Sequence, residues 1–379
     1  MGRIKEVILS NLVILHFAPL ELYPPIQNLV RQIGKQHGDF SCEVISTKCS
    51  TDEFYFYFSS PEVRLIRAGK VSRRQGGFFR ACNYFFYYFI SLFVLIRSRP
   101  SRVMYFETLS SLPVYIYKRF LNRKCQVFIH YHEYTSVDEY RRGMKLSRYF
   151  HRLEAWLYPR ADWVSHTNSL RMERFGNDIL PVKITHPYIL PNYPSRSWKK
   201  PPRNPSGAPL KIVYIGAFNK NTMYVSQFAN WVLNQGGKVR WEIFTSNYSA
   251  DTKHFIENMK SPWIGMNPGV AYDDLPAILK EFDVGVILYT GHIPNYEMNA
   301  PNKLFEYLAC GLDVWFPKAM TGSLPYVQQT GRPCVRAIDF NDLNNLDWKA
   351  SDSSNSAVND FSFFYEDALI PLIDKLTNS

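Results

Sequence analysis

NYEMNAPNKLFEYLACGLDVWFP, Asn295 to Pro317, runs from a polar stretch through a Pro-Asn-Lys turn into an apolar helix, then past Gly311 into a short apolar strand. Pro301 suits the first residue of that helix, because the N–H that proline lacks would be unpaired there in any case. Leu304, Phe305 and Leu308 recur at helical spacing and can face a core. Gly311 fits a carboxyl-terminal cap, where the backbone takes a positive φ. Lys303 and Glu306 stand three apart, close enough to lie near one another at the helix start. A helix start attracts anions through its free N–H groups and its dipole, and Lys303 adds a full positive charge. Glu306 cannot serve a phosphate; a carboxylate accepts hydrogen bonds, and paired sugar hydroxyls donate them. Phosphate plus diol describes a nucleotide ribose with its diphosphate. The same residue types describe equally well an ordinary amphipathic helix with a solvated Lys–Glu pair.

APNKLFEYLACGLDVWFP resembles the nucleotide-sugar signature of the group-1 family of GT-B glycosyltransferases. The resemblance implies that Glu306 holds the donor ribose and that Lys303 lies near the diphosphate, with Asn302 beside it in the turn. Many members carry a second glutamate eight positions before the first, near the donor sugar. This chain has Met298 there and Glu297 one place away, so Glu297 is the candidate and the residue contacting the sugar is left open.

The chain has 379 residues, which suggests two domains, and its 46% of hydrophobic residues suffices for two cores. Cys42, Cys49, Cys82, Cys125, Cys310 and Cys334 form no C-x-x-C pair and no zinc spacing, as reduced thiols of a cytosolic protein would. The net charge of +11 is uneven: residues 1–200 hold 30 Lys and Arg against 15 Asp and Glu, the remainder 14 against 18. A basic first half suits an anionic surface or a phosphate-bearing acceptor. No nucleic-acid motif accompanies it, and no nucleic-acid partner is expected. Arg3, Lys5 and Glu6 precede only a short apolar run, so no cleavable signal peptide is expected. FFRACNYFFYYFISLFVLI, Phe78–Ile96, is the most lipid-like stretch. Arg80 and Asn83 interrupt it, leaving about 13 apolar residues, short of the ~20 a spanning helix needs. A buried or membrane-surface helix is expected there.

Both halves alternate strand and helix, which implies α/β domains with parallel sheets. Strands are predicted at Asn11–Phe17, Cys42–Ser46, Glu62–Ile66, Arg102–Phe106, Cys125–Tyr131 and Asp162–Thr167, with a helix at Leu112–Leu121. Pro191–Pro209 (PNYPSRSWKKPPRNPSGAP) reads as a linker, rich in Pro, Ser and basic residues without apolar period. Leu210–Ile215, Lys238–Thr245 and Asp283–Tyr289 are strands of the second half, Asp274–Phe282 a helix and Ser351–Ser356 a small polar loop. The expected fold is GT-B, two Rossmann-like domains whose parallel sheets face across a cleft. Its parts are an acceptor domain at 1–192, a linker at 193–209, a nucleotide-sugar domain at 210–360 and a terminal helix at 361–379 crossing back to the first domain.

The strand at Cys125–Tyr131 delivers HYHEYTS to its carboxyl end, outside which ligands of open α/β sheets bind. His130 and His132 share a strand face, but no third ligand is evident and no metal site is expected. The segment from His132 to Ser169, with a helix-internal Glu154 and an Ala-Asp-x-Val strand, resembles the first domain of one branch of the same family. His132 and Glu133 are therefore catalytic candidates with Lys303, His132 to position the donor sugar or relay a proton. In the second domain, GAFNKNTMYV follows a strand as a diphosphate turn would, nominating Gly216 and Lys220. In the family, backbone in the turn Pro268-Gly269-Val270-Ala271-Tyr272 touches the nucleotide base, which nominates Tyr272. Taken together, the resemblance implies a metal-independent, anomer-retaining hexosyltransferase of polysaccharide or glycolipid synthesis. It would have no cofactor, a nucleotide-sugar as co-substrate and a glycan or lipid-linked acceptor, and it would be cytoplasmic or peripheral on the inner membrane face. Two alternatives stand: a sugar-nucleotide epimerase or phosphorylase of the same architecture, and a non-catalytic basic protein binding lipid or nucleic acid.

Overall fold

The computed structural model describes residues 11–36, 40–49, 56–71, 77–142, 145–202, 209–348 and 357–377. The amino-terminal residues 1–10, Gly38, Gly143, Met144, 203–208 of the linker and the loop Ser351–Ser356 lie outside these. The chain divides into two compact units, one of Met1–Asn192 with Tyr365–Ser379, the other of Tyr193–Phe364.

The first unit is built on β1 (Leu12–His16), β2 (Cys42–Cys49), β3 (Val63–Val71), β4 (Arg102–Phe106), β5 (Gln126–Tyr131), β6 (Trp163–His166) and β7 (Pro187–Ile189). Their order is β3-β2-β1-β4-β5-β6-β7, and every neighbouring pair is parallel. Strands buried on both faces read as continuous apolar runs, which is why LVILH and VFIHY were legible. β3 runs beyond the predicted Ile66 to Val71, and β7 escapes sequence reading because Pro187 opens a strand of three residues.

The helices of this unit are α1 (Pro24–Ile33), α2 (Gly77–Ser98), α3 (Ser111–Ile116), α4 (Val137–Arg142), α5 (Lys145–Leu157) and α6 (Ser169–Asp178). The helix expected over Leu112–Leu121 changes to a π-helical turn at Tyr117–Leu121. Glu154 of α5 is fully buried. It accepts hydrogen bonds from the hydroxyls of Tyr105 (2.9 Å), Tyr131 (2.7 Å) and Tyr158 (3.3 Å), which ties α5 to β4 and β5. A buried carboxylate needs such donors to offset lost hydration.

The second unit carries β8 (Leu210–Ile215), β9 (Val239–Phe244), β10 (Ile264–Asn267), β11 (Val284–Val286), β12 (Asp313–Pro317) and β13 (Val335–Ile338), again all parallel, in the order β10-β9-β8-β11-β12-β13. Its helices are α7 (Val225–Asn234), α8 (Ala250–Asn258), α9 (Leu275–Leu279), α10 (Pro294–Glu297) and α11 (Asn302–Ala309). The segment expected as one helix from Asp274 starts as a 3-10 turn at Tyr272–Asp274 and is helical only to Leu279.

The stretch read as a linker is anchored to this unit from its start. Tyr193 packs on Phe305 (4.6 Å between ring centroids) and Trp198, 5% exposed, on Tyr272 (4.7 Å). Two aromatic anchors outweigh the Pro- and Lys-rich composition around them. The last helix also begins later than Phe361. Phe361, Phe363 and Phe364 pack in the second core, and α12 (Tyr365–Ala368) and α13 (Ile370–Thr377) follow in the first unit. Pro371, with no N–H to donate, stands near the break between them.

Candidate functional site

In an open parallel sheet the ligand crevice lies where strand order reverses, outside the carboxyl ends. That point is between β8 and β11 in the second unit, and α11 is fixed over it. Gly285 of β11 leaves room for the Tyr307 ring; a Cβ there would come within 2.1 Å of it. The Tyr307 hydroxyl in turn accepts the Ile215 N–H of β8 at 3.1 Å. Pro301 is the residue before the helix, with extended ψ 155°, so Asn302 and not Pro301 is its first residue. Gly311 has φ 78°, as a cap requires, and a Cβ there would meet the Pro201 carbonyl oxygen at 2.3 Å.

This placement brings Gly216, Lys303 and Glu306 together. Gly216 closes β8 with φ 120°, and Lys303 lies directly on it: a Cβ at Gly216 would stand 2.9 Å from both Cε and Nζ. The ammonium donates to the Tyr289 hydroxyl at 3.4 Å and sits 5.7 Å from the ring centroids of Tyr289 and Tyr214. Burial works to lower its pKa, but Tyr289, Glu306 and Tyr296 outweigh that and hold it above the ordinary lysine value. Glu306, 7% exposed, is pushed up to about 7 by burial, with Lys303 pulling the other way. The pair forms a cation beside a hydrogen-bond acceptor in one helical turn, walled by aromatic rings.

The remaining second-unit candidates are placed differently. Lys220 forms an ion pair with Asp251 of α8 at 3.3 Å, and its N–H donates to Thr252 Oγ1. Tyr272 lies against Trp198. Glu297 ends α10 with an exposed side chain. Met298 is buried, its carbonyl packed so closely on Gly322 that a Cβ there would come within 2.1 Å. Tyr214 and Tyr289 were missed by sequence reasoning. Each stands at or just past the end of an apolar strand, where tyrosine looks like an ordinary strand-former. Tyr289 also stacks on Tyr296 of α10 at 4.6 Å.

In the first unit the reversal lies between β1 and β4, whose last residues, His16 and Phe106, are register partners. His132, just beyond β5, stacks on Phe106 at 5.2 Å and lies 4.6 Å from His130. It is buried, and burial lowers its pKa to about 4, against a smaller upward pull from the Asn192 side chain. His16, His130 and His166 are buried too, and burial lowers each of them. These imidazoles are neutral at physiological pH. Glu133, beside His132, is exposed. Arg171 of α6 donates to the His132 carbonyl at 2.7 Å and fixes the loop. Among the described residues, no group of three or more His, Cys, Asp or Glu side chains could hold a metal ion.

No protein-family model matches the sequence, and neither does any curated protein. Solved structures do match. A sucrose-phosphate synthase from Thermosynechococcus elongatus superposes with a TM-score of 0.66 at 14% identity, over 91% of this chain and 90% of that one. The HepE protein of Anabaena, in complex with UDP and glucose, gives 0.60 at 10% identity, over 97% and 99%. A UDP-GlcNAc 2-epimerase from Methanocaldococcus jannaschii gives 0.57 at 10% identity, over 97% and 99%. Transferases and epimerases thus share one architecture with this chain. With its two parallel α/β units, the chain has the GT-B fold.

Proposed function

We propose that this protein is a nucleotide-sugar-dependent glycosyltransferase of the group-1 kind. The observation that carries the reading is the seating of Lys303 on the Gly216 turn, one helical turn before Glu306. Such a site offers its cation to a diphosphate and its carboxylate to the ribose diol. In the reaction an acceptor hydroxyl oxygen bonds to the anomeric carbon. The bond from that carbon to the diphosphate breaks, its electron pair leaves with the diphosphate, and the hydroxyl proton passes to a departing diphosphate oxygen. The negative charge growing on the leaving group is what a fixed ammonium stabilises. Lys303 supplies that charge in this proposal without a divalent ion, and the sugar keeps its anomeric configuration. The same fold also hosts epimerases, since architecture does not fix chemistry.

A thermal-shift screen over UDP-, GDP-, dTDP- and CMP-sugars tests the donor site. A ligand at ~100 times its Kd stabilises by about 2.7 kcal/mol. Release of nucleoside diphosphate with formation of a glycoside supports transfer. An isomerised sugar-nucleotide without release would establish the epimerase instead. Absence of any stabilisation would overturn the donor site.

The acceptor in this proposal is a glycan or glycolipid at an anionic membrane surface. Helix α2 is long and apolar enough, by length and composition, to cross a bilayer. Yet one face, Tyr87, Ser91, Val94, Leu95 and Ser98, is buried within the unit, and Arg97 is paired with Glu43 at 2.5 Å. The opposite stripe, Phe78, Phe85, Phe89, Phe93 and Ile96, is exposed, Phe85 to 73%. Tyr88 packs edge-on against Phe150 of α5 (5.5 Å), and α5 exposes Leu146, Tyr149 and Lys145. Arg80, Arg141 and Arg142 are exposed as well. Aromatic rings among arginines suit a helix lying in the plane of an anionic interface. Sedimentation with anionic but not neutral vesicles, weakened by salt, is expected. Equal binding to both, or to neither, would remove the membrane from the proposal.

A further inference from the structure

Glu107 follows β4 at the reversal point of the first sheet, and its backbone is unusual. Its φ of 61° and ψ of 150° fall where glycine alone is comfortable. Its N–H donates to the His130 carbonyl (3.1 Å) and its carbonyl accepts from Ser110 (2.9 Å), so the strained peptide is pinned from both sides. One carboxylate oxygen, Oε1, accepts the backbone N–H groups of His132 (2.7 Å) and Glu133 (3.4 Å). The other, Oε2, accepts no hydrogen bond among the described residues, and the side chain is only half-buried.

Buried imidazoles lie at the same carboxyl end of the sheet, His16 at the end of β1 and His132 just past β5. His16, 1% exposed, has neither ring nitrogen in a hydrogen bond of good geometry, although the Ala18 backbone lies near enough to influence it. His132 is in the same position toward Asn192. The His16 ring lies 4.4 Å from Tyr23, 6.0 Å from Phe106 and 6.4 Å from His132. The Tyr23 hydroxyl, its pKa raised first by burial, also feels the charges of Glu133 and Glu107. Buried polar atoms are nearly always satisfied, so imidazoles left without good partners at the strand ends that also carry an unpartnered carboxylate oxygen mark a place for a hydrogen-bonding ligand.

We propose that Glu107 is the acceptor-binding residue of the first unit, one oxygen anchored on the His132–Glu133 backbone and the other receiving an acceptor hydroxyl. The unpartnered imidazoles of His16 and His132 suit further hydroxyls of the same polyol, which can donate to one nitrogen and accept from another. This assignment rests on the glycosyltransferase reading. It also explains the strain: placing the side chain on the loop beyond β5 requires a backbone turn that a relaxed glutamate would not make.

Glu107→Gln isolates the free oxygen, because the amide keeps one acceptor for the two backbone N–H groups and replaces the other oxygen with a donor. Burial, then Glu133, pushes the Glu107 carboxyl up to about 8, so the assay is run at pH 9. Nucleoside diphosphate release from the sugar-nucleotide found by screening is followed with water and with octyl β-glucoside as hydroxyl probes. The expected result is a loss of about tenfold or more in rate on both probes, with donor Kd unchanged and Tm no lower than wild type. A smaller loss, or one accompanied by a fall in Tm or a weaker donor Kd, overturns the assignment of Glu107 alone. A wild-type protein that binds no sugar-nucleotide overturns the transferase reading beneath it.

Discussion

The Glu306 carboxyl is harder to ionise in the fold than in the unfolded chain, because burial strips its water and Lys303 restores only part of that loss. A group whose native pKa is raised from 4.5 to about 7 keeps its proton longer in the native state. Stability therefore falls as pH rises through that window, by up to about 3 kcal/mol. Glu306→Gln removes the ionisation, so its second unit should melt above wild type at pH 8 and level with it at pH 4 in calorimetry. The same variant should bind the sugar-nucleotide more weakly, and Glu306→Ala by about tenfold or more, measured by titration calorimetry. Lys303 and Glu306 were legible because helical spacing places them together in any helix starting near Pro301. Glu107 was not, because a backbone angle leaves no mark in the sequence, and YFETLS reads as a strand running into a loop.

At the scale of elements, the seating of α11 depends on glycines that let other groups approach. Gly216→Ala would put a methyl 2.9 Å from the Lys303 ammonium at a backbone φ of 120°. The strain costs on the order of 1–3 kcal/mol, and turnover should fall because the cation moves. A melting curve and a rate assay on this variant check both. The exposed stripe of α2 makes the opposite case. Phe85, Phe89 and Phe93 contribute little to the core, so changing all three to serine should leave the melting temperature near wild type while vesicle sedimentation drops. A simultaneous collapse of stability would show that these rings are covered by protein. The apolar length of α2 was plain in the sequence. Which face it buries was not, since phenylalanine and tyrosine alternate around the helix, and only packing on the sheet selects Tyr87.

On the scale of the molecule, the alternation of strand and helix gave the two parallel sheets, because long strands buried on both faces announce themselves. Short strands such as β7, β10 and β13 carry too few residues to do so. The boundary between the units was blurred by composition: Pro191–Pro209 looks solvated, yet Tyr193 and Trp198 bind its first half to the second unit. The carboxyl-terminal segment belongs to the first unit, where Leu372, Ile373 and Leu376 are buried. Fully burying each such side chain contributes roughly 1.5–3 kcal/mol. A chain ending at Phe364 should therefore lose stability in the first unit alone, seen in calorimetry as one transition moving down while the other holds.

That discontinuity has a bearing on synthesis. The second unit is one continuous stretch, Tyr193–Phe364, and all of it is synthesised before α13 is. The first unit, although translated earlier, must hold an unfinished apolar surface throughout that interval. Domains made earlier ordinarily fold earlier, and incomplete ones are prone to aggregate. Here the unit begun first is the one completed last: until Leu372, Ile373 and Leu376 are in place, its core stays open while the whole second unit is being made.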